Sequence, residues 1–338
     1  MGKEVMAVNG RKSSDSLSAV RNSNQINVVL RQNDGPIPTL QQLPVSASSS
    51  IANRAFPGQV QFTEVMQELD RMIGLENVKE LVYEIYALLQ VGQYRSTAGL
   101  HSSAQVYHMI FKGNPGTGKT TVARIMAKLF QTMGVLSKGH LIEVERADLV
   151  GEYIGHTAIK TRELVKKALG GILFIDEAYS LARGGEKDFG KEAIDSLVKA
   201  MEDHKNSFIL ILAGYSLEME QFLMTNPGLP SRFAIQVDFT DYSVDELMQI
   251  ADLMTKEREY TFSSTAEMKL RQHLAAEKLM TLTSFSNARY VRNIIERAMR
   301  HQAVRLLQQN PHPKQPSKQE LMQLRPEDIR FEKKAGLF

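Results

Sequence analysis

The chain of 338 residues contains no cysteine. This absence excludes disulfide bonds, zinc held by cysteine, iron–sulfur clusters and catalysis by a thiol. It also fits a protein of a reducing compartment. The eight histidines are dispersed without the spacing of metal ligands, so we expect no zinc site.

An excess of charge of one sign and long hydrophobic runs are also missing. Lys plus Arg number 41 and Asp plus Glu 38, a net charge of +3, which gives no electrostatic reason for a nucleic acid partner or an anionic membrane. The longest apolar stretches, Ile172–Ile175 and Phe208–Ala213, are far shorter than the roughly 18 residues that a membrane-spanning helix needs. We therefore expect a soluble, cytoplasmic protein without a membrane segment.

One stretch near the end of the chain carries four arginines, namely Arg292, Arg297, Arg300 and Arg305. Glu296 precedes Arg300 by the spacing of an ion pair along one face of a helix. We interpret the stretch as a solvated helix face and expect no nucleic acid partner.

The first 60 residues differ in composition from the rest of the chain. Ser, Asn, Gln and Pro dominate there, and helical periodicity is missing. Such a segment buries too little apolar area to offset the entropy that ordering costs. We predict a flexible low-complexity tail over 1–60, in which Ile26–Leu30 could form a short strand.

Residues 61–240 show the pattern of an α/β domain. Apolar runs that favour strands alternate with amphipathic helices, which is typical of a parallel sheet covered on both sides. We predict five parallel strands between helices, at Val106–Phe111, Leu141–Val144, Ile172–Ile175, Phe208–Ala213 and Ile235–Phe239.

After Thr240 the strands are predicted to stop. Ser243 and Glu246 have the spacing of a capping box, and helical patterns follow as far as Leu307. Prolines then interrupt the chain from Pro311 onward. We predict a smaller helical domain at 241–310 and a C-terminal extension at 311–338.

The strongest motif is Gly113–Thr120, which matches G-x-x-x-x-G-K-[ST] between an apolar strand and an amphipathic helix. Its glycines let backbone N–H groups approach phosphate oxygens at a helix N-terminus. Lys119 would reach the β- and γ-phosphates, and the Thr120 hydroxyl would ligate magnesium. A dinucleotide fingerprint is excluded because Thr121 occupies the place of its third glycine.

A second motif ends the buried strand Ile172–Ile175, where Asp176 and Glu177 follow directly. Taken alone, such an acidic pair could be a surface turn. Downstream of a phosphate-binding loop, Asp176 is placed to join the magnesium shell. Glu177 would then polarise the water that attacks the γ-phosphate.

From about Leu69 to Leu307 the chain resembles the AAA+ ATPases of the CbbX and stage V sporulation protein K family, and around His108–Gly113 it is most similar to the sporulation branch. The motifs that carry the resemblance are Gly113–Ala123, Gly151–Thr157, Asp176–Leu181, Asn226–Phe233 and Ser286–Arg292. The resemblance implies a P-loop AAA+ module followed by a small helical lid, with ATP and Mg²⁺ as ligands.

The resemblance also implies roles for single residues. Arg232 matches an arginine finger that acts in trans on the ATP of a neighbouring subunit, so the resemblance implies a homo-oligomer in the form of a hexameric ring. Arg289 matches the arginine that reaches the γ-phosphate from the lid, with Arg292 as the competing candidate. The nucleotide would be bound by Ile73, Gly74, Asn114, Pro115, Gly116, Thr117, Gly118, Lys119, Thr120, Thr121 and Arg289.

Tyr153, Ile154 and Gly155 resemble the aromatic–hydrophobic–glycine loop that lines the pore of AAA+ rings that remodel proteins. An aromatic ring grips any peptide by apolar contact, and glycine lets the loop move. Where other AAA+ proteins carry a polar residue after the fourth strand, this chain has Gly214, so Tyr215 or Ser216 could contact the attacking water.

The expected function is ATP-driven remodelling of a protein client, and the sporulation resemblance suggests spore maturation. A rubisco-activase-like activity is one alternative. An ATP-gated scaffold that threads nothing is another, and a nucleic acid motor would need a basic channel that the composition does not suggest.

Overall fold

The computed structural model describes residues 59–101, 105–153, 155–184, 188–281, 284–309 and 315–331. The predicted tail at 1–60, apart from its last two residues, and the predicted strand Ile26–Leu30 lie outside the described residues. Within the described ranges, no helix is both long and apolar enough to cross a membrane.

A five-stranded parallel sheet forms the centre of the first domain. All five predicted strands are confirmed, and their bounds shift by at most a few residues. Neighbouring strands follow the order β2-β3-β4-β1-β5 across the sheet. The bounds are β1 Met109–Gly113, β2 Leu141–Val144, β3 Ile172–Ile175, β4 Ile209–Gly214 and β5 Ile235–Phe239.

Helices cover both faces of this sheet. Side chains alternate between the two faces along each strand, and the strands carry apolar side chains on both faces, so both faces must be buried. Phe111 and Phe174 face one apolar cluster, and Ile110 and Ile175 face the other. The helices of this domain are α1 Gln59–Asp70, α2 Glu76–Thr97, α3 Lys119–Thr132, α4 Arg146–Leu149, α5 His156–Ala168, α6 Gly190–Asp203 and α7 Ser216–Thr225, with a short 3₁₀ helix at Ala178–Ala182.

A helical lid follows the sheet. Ser243 caps its first helix, and both hydrogen bonds of the predicted capping box with Glu246 are present. Apolar lid residues such as Leu247 and Ile295 join the same buried cluster as Phe111. The lid helices are α8 Val244–Lys256, α9 Ser264–Met280, α10 Asn287–Gln309 and α11 Lys318–Met322.

The prediction that no strand follows Thr240 is wrong. Two short strands, β6 Thr261–Phe262 and β7 Gln323–Leu324, pair in parallel beside the lid helices. Strands of two residues leave no alternation of apolar and polar side chains, so the sequence carries no periodic signal for them.

The described part of the predicted C-terminal extension, residues 315–331, packs on the lid helices. Leu324 and Ile329 are fully buried there. Arg305 of α10 donates two hydrogen bonds of 2.8 Å to the carboxylate of Asp328, which is 1% exposed. The interpretation of Arg305 as part of a solvated helix face is therefore wrong, because its charge is neutralised inside the lid.

Candidate nucleotide site

Parallel strands bring the two acidic residues and the phosphate-binding loop to one edge of the sheet. The loop follows β1, Asp176 follows β3, and β4 lies between these two strands. Phe111 is in register with Ala213, and Ile175 is in register with Leu212, so the three strands end almost level. Since neighbouring strands lie roughly 4.8 Å apart, the loop and Asp176 emerge about 10 Å from each other.

The phosphate-binding loop depends on glycine at two positions where the backbone is left-handed. Gly116 has a φ of 72° and Gly118 a φ of 100°, a region that disfavours L side chains. A Cβ atom at Gly116 would lie 2.5 Å from the carbonyl oxygen of Ser286 in the lid. The tip of the loop therefore touches the lid so closely that only glycine fits.

Lys119 begins α3 and is the buried cation of the site. Its ammonium group donates hydrogen bonds to the carbonyl oxygens of Gly113 and Asn114. Burial lowers the pKa of Lys119 from 10.5 to about 8, while the carboxylate of Asp176 opposes this shift and Arg289 adds to it. A phosphate oxygen is the natural partner for such a partly desolvated ammonium group.

Asp176 and Glu177 occupy the end of β3 next to Lys119. An Asp176 carboxylate oxygen accepts a hydrogen bond of 3.0 Å from the backbone N–H of Glu177. Glu177 itself has a left-handed φ of 47° and caps the 3₁₀ helix that follows. This bend turns the chain sharply after the strand and leaves Glu177 facing the cavity described next.

A cavity of about 250 Å³ joins these groups. It contains most of the residues predicted to hold phosphate and magnesium, and adds Gly214 and Ala288. Its lining comprises Pro115, Gly116, Gly118, Lys119, Thr120, Thr121, Asp176, Glu177, Gly214, Tyr215, Ala288, Arg289 and Arg292.

The cavity lining bears on two choices that the sequence left open, that between Tyr215 and Ser216 and that between Arg289 and Arg292. Tyr215 lines it and Ser216 does not, and the Tyr215 ring stacks on Tyr179 with centroids 5.7 Å apart. Arg289 and Arg292 both line it, as residues one turn apart on α10 should. The choice between these two arginines stays open on geometry.

Thr120 and Asp176 have the chemistry of magnesium ligands, a hydroxyl and a carboxylate oxygen. The Thr120 hydroxyl lies 3.5 Å from the carboxylate of Glu143, which also pairs with Arg124. Among the described residues, no group of three or more His, Cys, Asp or Glu side chains could hold a metal ion. A divalent cation here would need oxygen atoms from phosphates to complete its shell, as Mg²⁺ commonly does.

Three residues that sequence reasoning left without a role connect the loop to the lid, namely Asp241, Tyr242 and Asn287. The Asn114 amide donates to both oxygens of Asp241, each at 3.0 Å. The Tyr242 hydroxyl donates to the carbonyl oxygen of Thr117 at 3.1 Å, and burial raises the pKa of Tyr242 to about 12. Asn287, which belongs to the motif Ser286–Arg292, donates a 2.7 Å hydrogen bond to Asp241. Only its position between two domains distinguishes it, and a single sequence does not show that position.

Two family models match the chain over these same regions. "ATPase family associated with various cellular activities (AAA)" matches residues 109–241, and "AAA lid domain" matches residues 243–336. Stage V sporulation protein K of Bacillus subtilis (strain 168) is 54% identical over 320 residues, which cover 94% of this chain and 97% of that protein. The chain belongs to the AAA+ ATPases.

Further comparisons agree with this membership. The chloroplastic ribulose bisphosphate carboxylase/oxygenase activase of Cyanidioschyzon merolae (strain NIES-3377 / 10D) is 48% identical over 250 residues, covering 73% of this chain and 85% of that protein. Among solved structures, the FIGL-1 AAA domain in complex with ADP aligns with a TM-score of 0.51 and 17% identity, covering 77% of this chain and 80% of that one. This structural likeness shows the fold alone.

This AAA+ ATPase places Ile73 and Gly74 beside the phosphate-binding loop without bringing them into the cavity. Gly74 has a φ of 63°, and a Cβ atom there would lie 2.2 Å from a carboxylate oxygen of Glu246. At Gly118, a Cβ atom would lie 3.1 Å from Met72 and 3.5 Å from Leu75. The residues on either side of Ile73–Gly74 thus pack against the loop, and the predicted contact of Ile73 and Gly74 with the nucleotide stays a prediction.

Tyr153 lies on a different part of the ATPase surface and is 65% exposed. Its ring meets His156 edge to face, with centroids 5.3 Å apart. Gly155 has a φ of 81° and open space around it, while Ile154 lies outside the described residues. The structure therefore presents an aromatic side chain to solvent just before α5.

Arg232 is not among the residues that line the 250 Å³ cavity of its own chain. Its guanidinium group donates to Glu202 and to the carbonyl oxygen of Gly228. It lies at a separate groove of about 940 Å³, together with α2 residues such as Leu81 and Leu88. The cavity thus holds every predicted catalytic residue except Arg232.

Proposed function

We propose that this AAA+ ATPase is a cytoplasmic machine that couples ATP hydrolysis to remodelling of a protein client. The observation that carries the proposal is the cavity at the end of the sheet, where Lys119, Glu177 and Arg289 meet between the two domains. ATP is the substrate, and Mg²⁺ held by Thr120 and Asp176 would neutralise charge on its phosphates.

Each residue of the cavity has a distinct task in this proposal. Gly116 and Gly118 leave room for phosphate oxygens, and Lys119 binds the β- and γ-phosphates. Glu177 accepts the proton of the attacking water. Arg289 brings positive charge from the lid, so that hydrolysis and lid position depend on each other.

We assign Arg232 to the nucleotide of a neighbouring subunit, which requires an oligomer, and we propose a hexameric ring. Support comes from its position, since its guanidinium group lies outside its own cavity and is already oriented by Glu202 and Gly228. An arginine that stabilises charge on a transferring phosphoryl group is worth about 10³–10⁵ in rate in GTPases. Hydrolysis would then need contact between subunits.

Tyr153 is proposed to grip the client. A separate cavity of about 520 Å³ is lined both by Asp176 and Glu177 and by Gly151 and Glu152, which directly precede Tyr153. Arg146 bridges the same region by donating 2.6 Å hydrogen bonds to the carbonyl oxygen of Ser180 and to Asp188. A change at the end of β3 therefore has a short physical route to the loop that carries Tyr153.

The likeness to stage V sporulation protein K favours a client in spore maturation. The likeness to a ribulose bisphosphate carboxylase/oxygenase activase supports the second candidate, a rubisco-activase-like remodeller. Both candidates share the same cavity and differ only in the protein that the loop grips.

The test is a client trap. Glu177→Gln, supplied with ATP, should hold a client, and the double variant Tyr153→Ala, Glu177→Gln is its matched control. Remodelling predicts proteins from an extract of the source cells that the single variant retains and the double variant releases. Equal retention by both variants, with ATP bound in both, would favour the scaffold that threads nothing.

A further inference from the structure

Asn287 is the first residue of α10 and lies at the boundary between the phosphate-binding loop and the lid. It is fully buried and has a left-handed φ of 42°. Asparagine tolerates this conformation better than most residues because its short amide bonds locally. At this position the amide offers four possible hydrogen bonds.

The Asn287 amide connects the two domains through both of its ends. Its nitrogen lies 2.7 Å from an oxygen of Asp241, 2.8 Å from the carbonyl oxygen of Phe285 and 3.4 Å from that of Pro115. Its oxygen accepts a 3.0 Å hydrogen bond from the backbone N–H of Tyr242. The carboxylate of Asp241 thus receives Asn287 from the lid and Asn114 from the loop.

The backbone next to Asn287 continues this connection. The N–H of Ala288 donates to the carbonyl oxygen of Gly116 at 3.2 Å. Arg289, which lines the phosphate cavity, is the next residue. The loop and the first turn of α10 are therefore joined by direct hydrogen bonds, from Ala288 to Gly116 and from Asn287 to Pro115.

We propose that Asn287 is a positioning residue, whose amide couples the phosphate-binding loop to the lid and thereby sets Arg289 over the bound phosphates. The proposal rests on the cavity as the nucleotide site, and it adds a residue that is not among those lining that cavity. Asp241 is its partner, since one carboxylate accepts both amides.

The test uses the full chain and two variants of the pair. Asn287→Gly keeps the left-handed backbone and removes the amide. Asp241→Ala removes the acceptor from an exposed position, so it keeps the test valid if the first variant fails to fold. Asn293→Ala, an exposed asparagine on the same helix, is the matched control.

Two readouts separate coupling from mere stability, namely kcat against KM for ATP, and hydrogen exchange in the first turn of α10 with and without ADP. Both variants should bind ADP, lose the protection that ADP gives this turn, and lower kcat at least about tenfold, as misplaced catalytic groups do. The losses of the two single variants should add up to more than the loss in the double variant, because the two residues share the Asn287–Asp241 contact. Asn293→Ala should match the parent.

Parent-like kcat and parent-like protection in Asn287→Gly or in Asp241→Ala would overturn the proposal, as would additive losses in the double variant. Arg289→Ala distinguishes this failure from that of the proposed function. It should lower kcat and leave the ADP-dependent protection intact. Full activity in Arg289→Ala would contradict the proposed role of Arg289 in hydrolysis. The hydrogen exchange of the first turn of α10 would still test whether Asn287 couples the loop to the lid.

Discussion

The ammonium nitrogen of Lys119 lies 2.8 Å from the carbonyl oxygen of Gly113 and 2.9 Å from that of Asn114. Neutral carbonyl dipoles compensate a buried charge less well than a phosphate does. This explains why burial dominates the pKa of Lys119 and lowers it to about 8. A bound anion would stabilise the charged form of Lys119 and raise its pKa.

This relationship predicts proton uptake when nucleotide binds above pH 8. With the pKa of Lys119 lowered to about 8, part of the free sites should hold a neutral Lys119 at pH 8.5. Phosphates would raise this pKa, so binding should take up a fraction of a proton. The apparent affinity for nucleotide should fall as the pH rises through this range. Calorimetry in buffers of different ionisation enthalpy measures the uptake.

Lys119→Ala is the control for this prediction, because its residual binding should show no such uptake. At pH 7 the uptake from Lys119 should be small, since the group is then already charged. Equal uptake in the parent and in Lys119→Ala at pH 8.5 would contradict the assignment.

Complementation between subunits tests the proposed role of Arg232. The Lys119→Ala variant lacks the lysine that contacts the nucleotide of its own subunit. The Arg232→Ala variant lacks the arginine that is proposed to contact the nucleotide of the neighbouring subunit. Each variant alone should have almost no ATPase activity. Mixed in equal amounts, they should regain part of it, because some interfaces combine an intact Lys119 with an intact Arg232.

The mixing experiment is followed by phosphate release per subunit, after both variants have been shown to bind each other. A mixture as inactive as its components would contradict action in trans. Arg232→Ala that is active alone would show that the Glu202 pair is only a surface contact.

Sequence patterns predict β3 and the phosphate-binding loop well, because each is encoded by residues that are close together in the chain. Four apolar residues define β3, and the spacing of Gly113, Lys119 and Thr120 defines the loop. Strands β6 and β7 escape prediction because their pairing joins Thr261 to Gln323 across the lid. The contact between Asn287 and Asp241 escapes for the same reason, since it depends on how two domains meet.

The buried ion pair of the lid makes a prediction about stability. Asp328→Ala would remove the buried carboxylate that pairs with Arg305 and leave Glu327, at 3.9 Å and half exposed, beside the guanidinium. This should lower the free energy of unfolding by about 3 kcal/mol, near the lower end of the cost of breaking a buried ion pair. Glu296→Ala is the matched control, since its pair with Arg258 is 42% exposed at both side chains. That surface pair should be worth about 0–1 kcal/mol.

Denaturant unfolding followed by circular dichroism compares the two variants with the parent. A loss for Asp328→Ala no larger than that for Glu296→Ala would contradict the finding that residues 315–331 form part of the lid core.

The central claim is that the end of β3 hydrolyses ATP at the junction of the two domains, with Glu177 as the base. The measurement that tests it most directly is ATP affinity and turnover in Glu177→Gln, with Glu163→Gln on the exposed face of α5 as the control. We predict parent-like binding and a turnover about 10²–10⁴ times lower in Glu177→Gln, with no change in the control. Hydrolysis by Glu177→Gln at the parent rate would contradict the claim.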